Sequence, residues 1–129
     1  MSQENKDKRL IQPSDGSRAI GAYSPALMYD NLIFISGQIA SDLDASIDKQ
    51  TEQCLEKIRS LVESAGANMD NVLRCQVFME DIEDFSVMNE IYSTYFKKPY
   101  PTRLALGGLN LPKGAKIEIS AVAYKQILG

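Results

Sequence analysis

Histidine is absent from all 129 residues of this chain. That removes His-dependent catalytic triads, the commonest zinc sites and the side chain best suited to moving protons near neutrality. Cysteine is scarce, and Cys54 and Cys75 lie too far apart to read as a metal-binding pair. Both read as buried thiols acting as small hydrophobes, and neither stands out as a nucleophile. No apolar run approaches the length that spans a bilayer, and the first nine residues, Met1 to Arg9, are polar rather than signal-like or transit-like. A membrane partner is therefore not expected, and the cytoplasm is the expected address.

Acidic residues all but disappear from the C-terminal part. After Glu90 only Glu118 is acidic, while Lys97, Lys98, Arg103, Lys113, Lys116 and Lys125 are basic. The net charge of −3 thus divides into +1 over residues 1–29, −9 over 30–90 and +5 over 91–129. Nucleic acid is not the expected partner of such a chain, because the overall charge has the wrong sign. A small anion at the C-terminal strands, or charge complementarity between neighbouring subunits, fits the split. A lone carboxylate among cations can accept a proton or orient a water. Glu118 has a second reading. Lys116, Glu118 and Ser120 alternate with Ile117, Ile119, Ala121 and Ala123, as on the wet face of a half-buried strand.

What is present suffices for one domain with its own core: 44% hydrophobic and 24% charged residues, with no repeat or low-complexity tract. Residues 1–8 are expected to be a flexible terminus and 9–129 the domain. Arg9–Gln12 reads as a short strand. Ala26–Tyr29 and Leu32–Ile35 read as a hairpin turning at Asp30-Asn31, with Ser36-Gly37-Gln38 ending its second strand. Leu55, Ile58, Leu61, Val62 and Ala65 predict a helix over 48–64, stopped by Gly66. Val72–Met79 is a strand with Leu73, Cys75, Val77 and Met79 on one face. A second helix is expected over 84–96, with Phe85, Met88, Ile91, Tyr92 and Tyr95 as its apolar face. Pro99 and Pro101 then force extended chain, and strands follow near 102–106 and 116–125. The order β-β-β-α-β-α-β-β predicts an α+β sandwich of one sheet and one helical layer. The strand holding Val122 and Tyr124 is too apolar for plain exposure, which points to oligomerisation through the open sheet face.

Six short motifs stand in order along the chain: Ile20-Gly-Ala-Tyr-Ser24, Ile35-Ser-Gly-Gln38, Asp84-Phe-Ser-Val-Met-Asn89, Pro101-Thr-Arg103, Leu111-Pro112 and Ile117-Glu-Ile119. In this the chain resembles the Rid/YjgF family of reactive intermediate deaminases, also called endoribonuclease L-PSP proteins, from about Arg9 to Tyr124. The resemblance implies a chorismate-mutase-like α+β domain, one mixed sheet with two helices on one face. It also implies a homotrimer whose sheets line a central barrel, with sites in clefts between neighbouring subunits. The implied activity is hydrolysis of reactive enamine and imine acids, such as 2-aminoacrylate and the 2-iminobutanoate type released by pyridoxal-phosphate enzymes, to 2-keto acids and ammonia. No cofactor and no metal are implied.

The resemblance also assigns residues. Arg103 would grip the substrate carboxylate, where an ordinary salt bridge, with Glu118 as one partner, is its alternative. Glu118 would hold a water, aided by the backbone carbonyl near Ala105, and take its proton. Tyr23 would close or hydrogen-bond the pocket, or simply pack as an aromatic. Ser36 and Gly37 would line the cleft at the strand end. Asn89 would line the site or bond a neighbouring loop. The chain departs from the family pattern at Ala22, Leu104, Ala105 and Gly107-Gly108, and its 39–47 segment is shorter than usual. A non-catalytic trimeric binder of 2-keto acids is the alternative the same residues allow. A ribonuclease suits neither the negative charge nor the lack of histidine.

Overall fold

The computed structural model describes residues 7–127, so the expected loose segment 1–8 falls mostly outside the described residues. Strands β1 (Arg9–Ile11), β2 (Ala26–Tyr29) and β3 (Leu32–Ile39) precede helix α1 (Ile47–Ser64). β4 (Val72–Met79), α2 (Phe85–Ser93), β5 (Thr102–Leu106) and β6 (Ile117–Tyr124) complete the chain. This is the element order the hydrophobic pattern predicts. One mixed six-stranded sheet results, ordered β1-β2-β3-β6-β4-β5. Its one parallel pair, β4 with β5, is joined through α2, as a crossover connection requires.

Both helices cover the same sheet face. Ile33, Cys75, Val77, Met79, Ile117 and Ile119 form the sheet's buried row, against Leu55, Ile58, Leu61 and Val62 of α1 and Met88 and Tyr92 of α2. Burying each of these large side chains stabilises the fold by roughly 1.5–3 kcal/mol, so this face holds the layers together. The opposite face has no helix on it and carries Leu32, Phe34, Leu104 and Leu106 with more than a third of their surface exposed.

Two bulges depart from plain alternation. Val72 and Arg74 pair with the adjacent residues Ala123 and Val122, so Leu73 is the extra residue and breaks phase. Leu73 is accordingly exposed, which corrects its expected place in the buried row of β4. The second bulge falls between Ile35 and Gln38. β3 therefore does not end at Ser36-Gly37-Gln38; it resumes pairing with β6 as far as Ile39. Helix α2 is shorter than expected, stopping at Ser93, and a 3-10 turn at Ile82–Asp84 leads into it. The hydroxyls of Ser93 and Thr94 donate to the Glu90 and Ile91 carbonyls, using helical acceptors at the point where the coil ends.

The short connection before α1 is fixed by one buried amide. Gln50 donates through Nε2 to the Leu43 and Ala45 carbonyls at 3.1 and 3.0 Å, and its Oε1 accepts the Lys116 amide at 3.1 Å. Lys116 Nζ donates to the Ala45 carbonyl as well, so loop and β6 are tied together next to Glu118. The Gly107-Gly108 departure is likewise held in place. A Cβ at Gly107 would lie 2.8 Å from the Ile82 backbone, and Gly108 donates its amide to the Glu80 carbonyl. Gln50→Ala leaves the Leu43 carbonyl and the Lys116 amide without their partner, while Lys116 Nζ still serves the Ala45 carbonyl; we expect it to lower unfolding free energy by about 2 kcal/mol in urea titration.

Candidate active site

Glu118 sits on β6 opposite Phe78 of β4 and Ile39 of β3, and alternation with buried Ile117 and Ile119 turns it to the uncovered face. The β3 bulge places Gly37 directly against it. A Cβ on Gly37 would overlap the Glu118 carboxylate, with Cδ only 2.8 Å away. Glycine at 37 is therefore a requirement of the glutamate's position, in addition to any turn geometry. The Glu118 carboxyl is half-buried with no hydrogen-bonding partner within the described chain, and burial raises its pKa above the ordinary glutamate range. Such a carboxylate is a better proton acceptor than a solvated one.

Around it lies a cavity of about 640 Å³, enclosed by the 13–25 loop, the bulged end of β3 and the turn at Pro112-Lys113. Tyr23, Ser36, Gly37 and Glu118 all line it. Tyr23 is 54% exposed, with its ring over Gly21. Ser36 donates its hydroxyl to the Ser24 carbonyl at 2.6 Å and its amide to the Pro25 carbonyl at 3.0 Å. Its donor is thereby committed to anchoring the Tyr23 loop on β3. Arg18, Lys57 and Lys113 also line the cavity, where Glu118 is the sole carboxylate.

The remaining candidates gather elsewhere. Arg103 pairs with Cys75 and Ala105 with Val77, which puts both on the helix-bearing side of the sheet. Arg103 Nη1 donates to Asn89 Oδ1 at 2.7 Å. Its guanidinium lies 4.8 Å from the Tyr92 ring centroid and 5.4 Å from that of Phe85. Phe85, Asn89 and Tyr92 follow at i, i+4 and i+7 on one face of α2, forming a planar cradle that orients the fork without neutralising its charge. No ion pair joins Arg103 to Glu118, so that alternative for the arginine does not hold in the described chain. β4 separates the strands of Ala105 and Glu118, roughly 9–10 Å across, so the Ala105 carbonyl cannot serve a water at Glu118 in the same chain.

The sequence reading missed Arg18, Lys57 and Gln38 as cavity residues, and it treated Phe85 and Tyr92 only as core. The i, i+4, i+7 spacing of Phe85, Asn89 and Tyr92 was the signal available for the cradle. Nothing local marks Arg18 or Lys57, which reach the cavity from distant elements. Both thiols are buried, and burial pushes the Cys54 thiol up to about 12 and that of Cys75 to about 11. They are protonated near neutrality and poor nucleophiles. No group of three or more potential metal ligands occurs among the described residues.

The chain is similar to proteins already known. The family model for endoribonuclease L-PSP matches residues 14–125. A RutC family protein of Pyrococcus abyssi is 38% identical over 125 residues, spanning 92% of this chain and 98% of its own. The human 2-iminobutanoate/2-iminopropanoate deaminase is 38% identical over 124 residues, covering 92% and 90% respectively. The crystal structure of RidA from an Antarctic Psychrobacter superposes with a TM-score of 0.84 at 34% identity, over 90% of this chain and 98% of that one.

The raised pKa of Glu118 has a measurable sign. A carboxyl whose folded pKa lies above its unfolded value costs no stability while protonated, and the penalty grows as pH rises through the folded value. Glu118→Gln removes that penalty. Urea unfolding at fixed protein concentration should show the variant more stable than the parent near neutrality. The difference should shrink towards zero below about pH 4, where both side chains are neutral.

Proposed function

The chain belongs to the endoribonuclease L-PSP, or Rid/YjgF, family, and on that premise we propose that it is an imine deaminase. Its substrates would be small 2-imino acids and their enamine tautomers, released by pyridoxal-phosphate enzymes, and its products 2-keto acids and ammonia. The observation that carries the reading is Glu118: a half-buried carboxyl, free of protein hydrogen bonds, held against Gly37 at the wall of a cation-lined cavity. The deaminase name of the human relative supports the same chemistry.

In this mechanism Arg103 binds the substrate carboxylate through its fork, with Asn89, Phe85 and Tyr92 fixing its plane. Glu118 accepts a proton from water as the water oxygen bonds to C2. The same proton then passes to the imine nitrogen, giving the carbinolamine; Glu118 next takes the proton of the C2 hydroxyl and hands it to the amino group, so the C2–N bond breaks and ammonia leaves as the carbonyl forms. For an enamine, the first protonation falls on its terminal carbon. The demand on the protein is modest, because imines hydrolyse unaided; orientation of one water and one carboxylate suffices.

Arg103 and Glu118 face opposite sides of the sheet in one chain, so the reaction needs two copies. In the proposed homotrimer, the edge strand β5 of one copy delivers Arg103 and Ala105, and its helix α2 delivers Asn89, to the cavity of the next, where Tyr23, Ser36, Gly37 and Glu118 lie. The uncovered apolar sheet faces supply the packing surface for such an assembly. The proposed address is the cytoplasm, and no described helix is long and apolar enough to cross a membrane.

The test is imine clearance in a coupled assay. A pyridoxal-phosphate dehydratase supplies 2-aminoacrylate from serine, semicarbazide traps what escapes, and pyruvate release is followed. The parent protein should accelerate pyruvate release and deplete the semicarbazone. Arg103→Ala should cost about 10–100-fold in kcat/KM, the size of a lost charge-assisted contact, with assembly retained. Glu118→Gln should still bind 2-keto acids but turn over about 100-fold more slowly. Gly37→Ala should fold and lose about 100-fold through displacement of the carboxylate. Saturable keto-acid binding with no clearance by the parent would instead establish a non-catalytic binding protein.

A further inference from the structure

The cavity at Glu118 holds more positive charge than a monocarboxylic imine uses. Arg103 answers the C1 carboxylate, and Glu118 takes the water. That leaves Arg18, Lys57 and Lys113, from three separate elements, lining one cavity with no carboxylate besides Glu118 among its described lining residues. The chain as a whole is acidic, with a net charge of −3, so this local excess runs against its composition. Cavities along α1 show the contrast: one is lined by Glu56, Arg59 and Glu63, another by Asp15, Asp42, Glu52, Glu56 and Lys57.

The three cations differ in how they are held. Lys57 is half-buried, and its ammonium donates to the Ile39 carbonyl at the end of β3 at 2.7 Å. It keeps two further donors for a ligand. Asp15 stands close enough to feel its charge, but accepts the Ser17 amide at 2.8 Å and does not line this cavity. Arg18 and Lys113 are exposed side chains with no ion pair among the described residues. Lys113 adopts φ 57°, a left-handed conformation uncommon for a residue with a side chain. Its position at the cavity rim is thus set by the Pro112–Gly114 turn, next to β6.

We infer that the substrates of this site include 2-imino acids with a second carboxylate on the side chain, the imines of acidic amino acids. This rests on the deaminase reading above and narrows it. The C1 carboxylate goes to Arg103 of one copy, and the distal carboxylate to Arg18, Lys57 and Lys113 of the copy that supplies Glu118. The cavity volume of about 640 Å³ leaves room for the longer side chain. The chemistry at C2 is unchanged: water adds, ammonia leaves, and the distal carboxylate takes no part in the bond changes.

The assembled protein is titrated by calorimetry with 2-oxoglutarate and, separately, with 2-oxobutanoate, the stable products of a dicarboxylic and a monocarboxylic imine. We expect the dicarboxylate to bind about tenfold tighter at low salt, as one added charge-assisted contact gives. Raising the salt should narrow that ratio, and R18Q/K113Q should bring it towards one. Imine turnover is measured in parallel, with amino-acid oxidases generating 2-iminoglutarate and 2-iminobutanoate in the presence of semicarbazide. Equal or weaker binding of 2-oxoglutarate, while 2-iminobutanoate is still hydrolysed, overturns this inference and spares the deaminase. A preference that R18Q/K113Q leaves intact overturns it too. Failure to bind either keto acid or to clear either imine overturns both.

Discussion

The close approach of Glu118 to Gly37 is the contact on which the proposed site depends. A carboxylate on the uncovered face of a sheet would ordinarily reach into solvent and behave as any surface glutamate. Here the β3 bulge brings a residue without a side chain against it, and the Tyr23 loop closes over the same point. The carboxyl loses solvation without gaining a partner, which raises its proton affinity. That arrangement costs stability and returns reactivity, a common exchange at functional sites. Gln50 and Lys116 serve the same end from below, by tying the short loop before α1 to the start of β6.

Arg103 illustrates the complementary device. It lies on the helix side of an edge strand, stacked on two rings and bonded to a neutral amide. No carboxylate among the described residues pairs with it, so its charge remains available to an anion arriving at the sheet edge. In the proposed site, an oriented but unneutralised guanidinium and a desolvated carboxyl without a partner among the described residues are two halves, each unsatisfied in its own chain. Their separation across the sheet is why the proposed mechanism joins them by assembly of copies rather than by a hinge within the chain. The exposed apolar residues Leu32, Phe34, Leu104 and Leu106 on the open face would give the proposed assembly a driving force.

Much of the architecture was legible in the residue pattern, because amphipathic periodicity over α1 and alternation along β6 are strong, local signals. Leu73 and the far end of β3 were misread for the same physical reason. A bulge adds one residue, shifts the phase of everything beyond it, and leaves no mark in the alternation itself. The end of α2 was overrun because Tyr95 and Phe96 continue the apolar pattern past Ser93, where the turn geometry had already changed. At the site, family motifs named Arg103 and Glu118, but no motif encodes which face of a sheet a side chain takes. Their opposition required the register of β4 against both β5 and β6. Arg18 and Lys57 were invisible for a simpler reason: they meet only in three dimensions.

The central claim is that each site is shared between copies, and subunit mixing tests it most directly. Arg103→Ala and Glu118→Gln proteins, each strongly impaired alone, are denatured together in equal amounts and refolded, and imine clearance is measured. In a trimer with shared sites, about three-quarters of the random assemblies are mixed, and each mixed one holds a single intact site in three. Clearance should therefore return to about a quarter of the parental rate. If both residues act within one chain, no assembly contains an intact site, and a mixture no more active than its separate components would contradict the account.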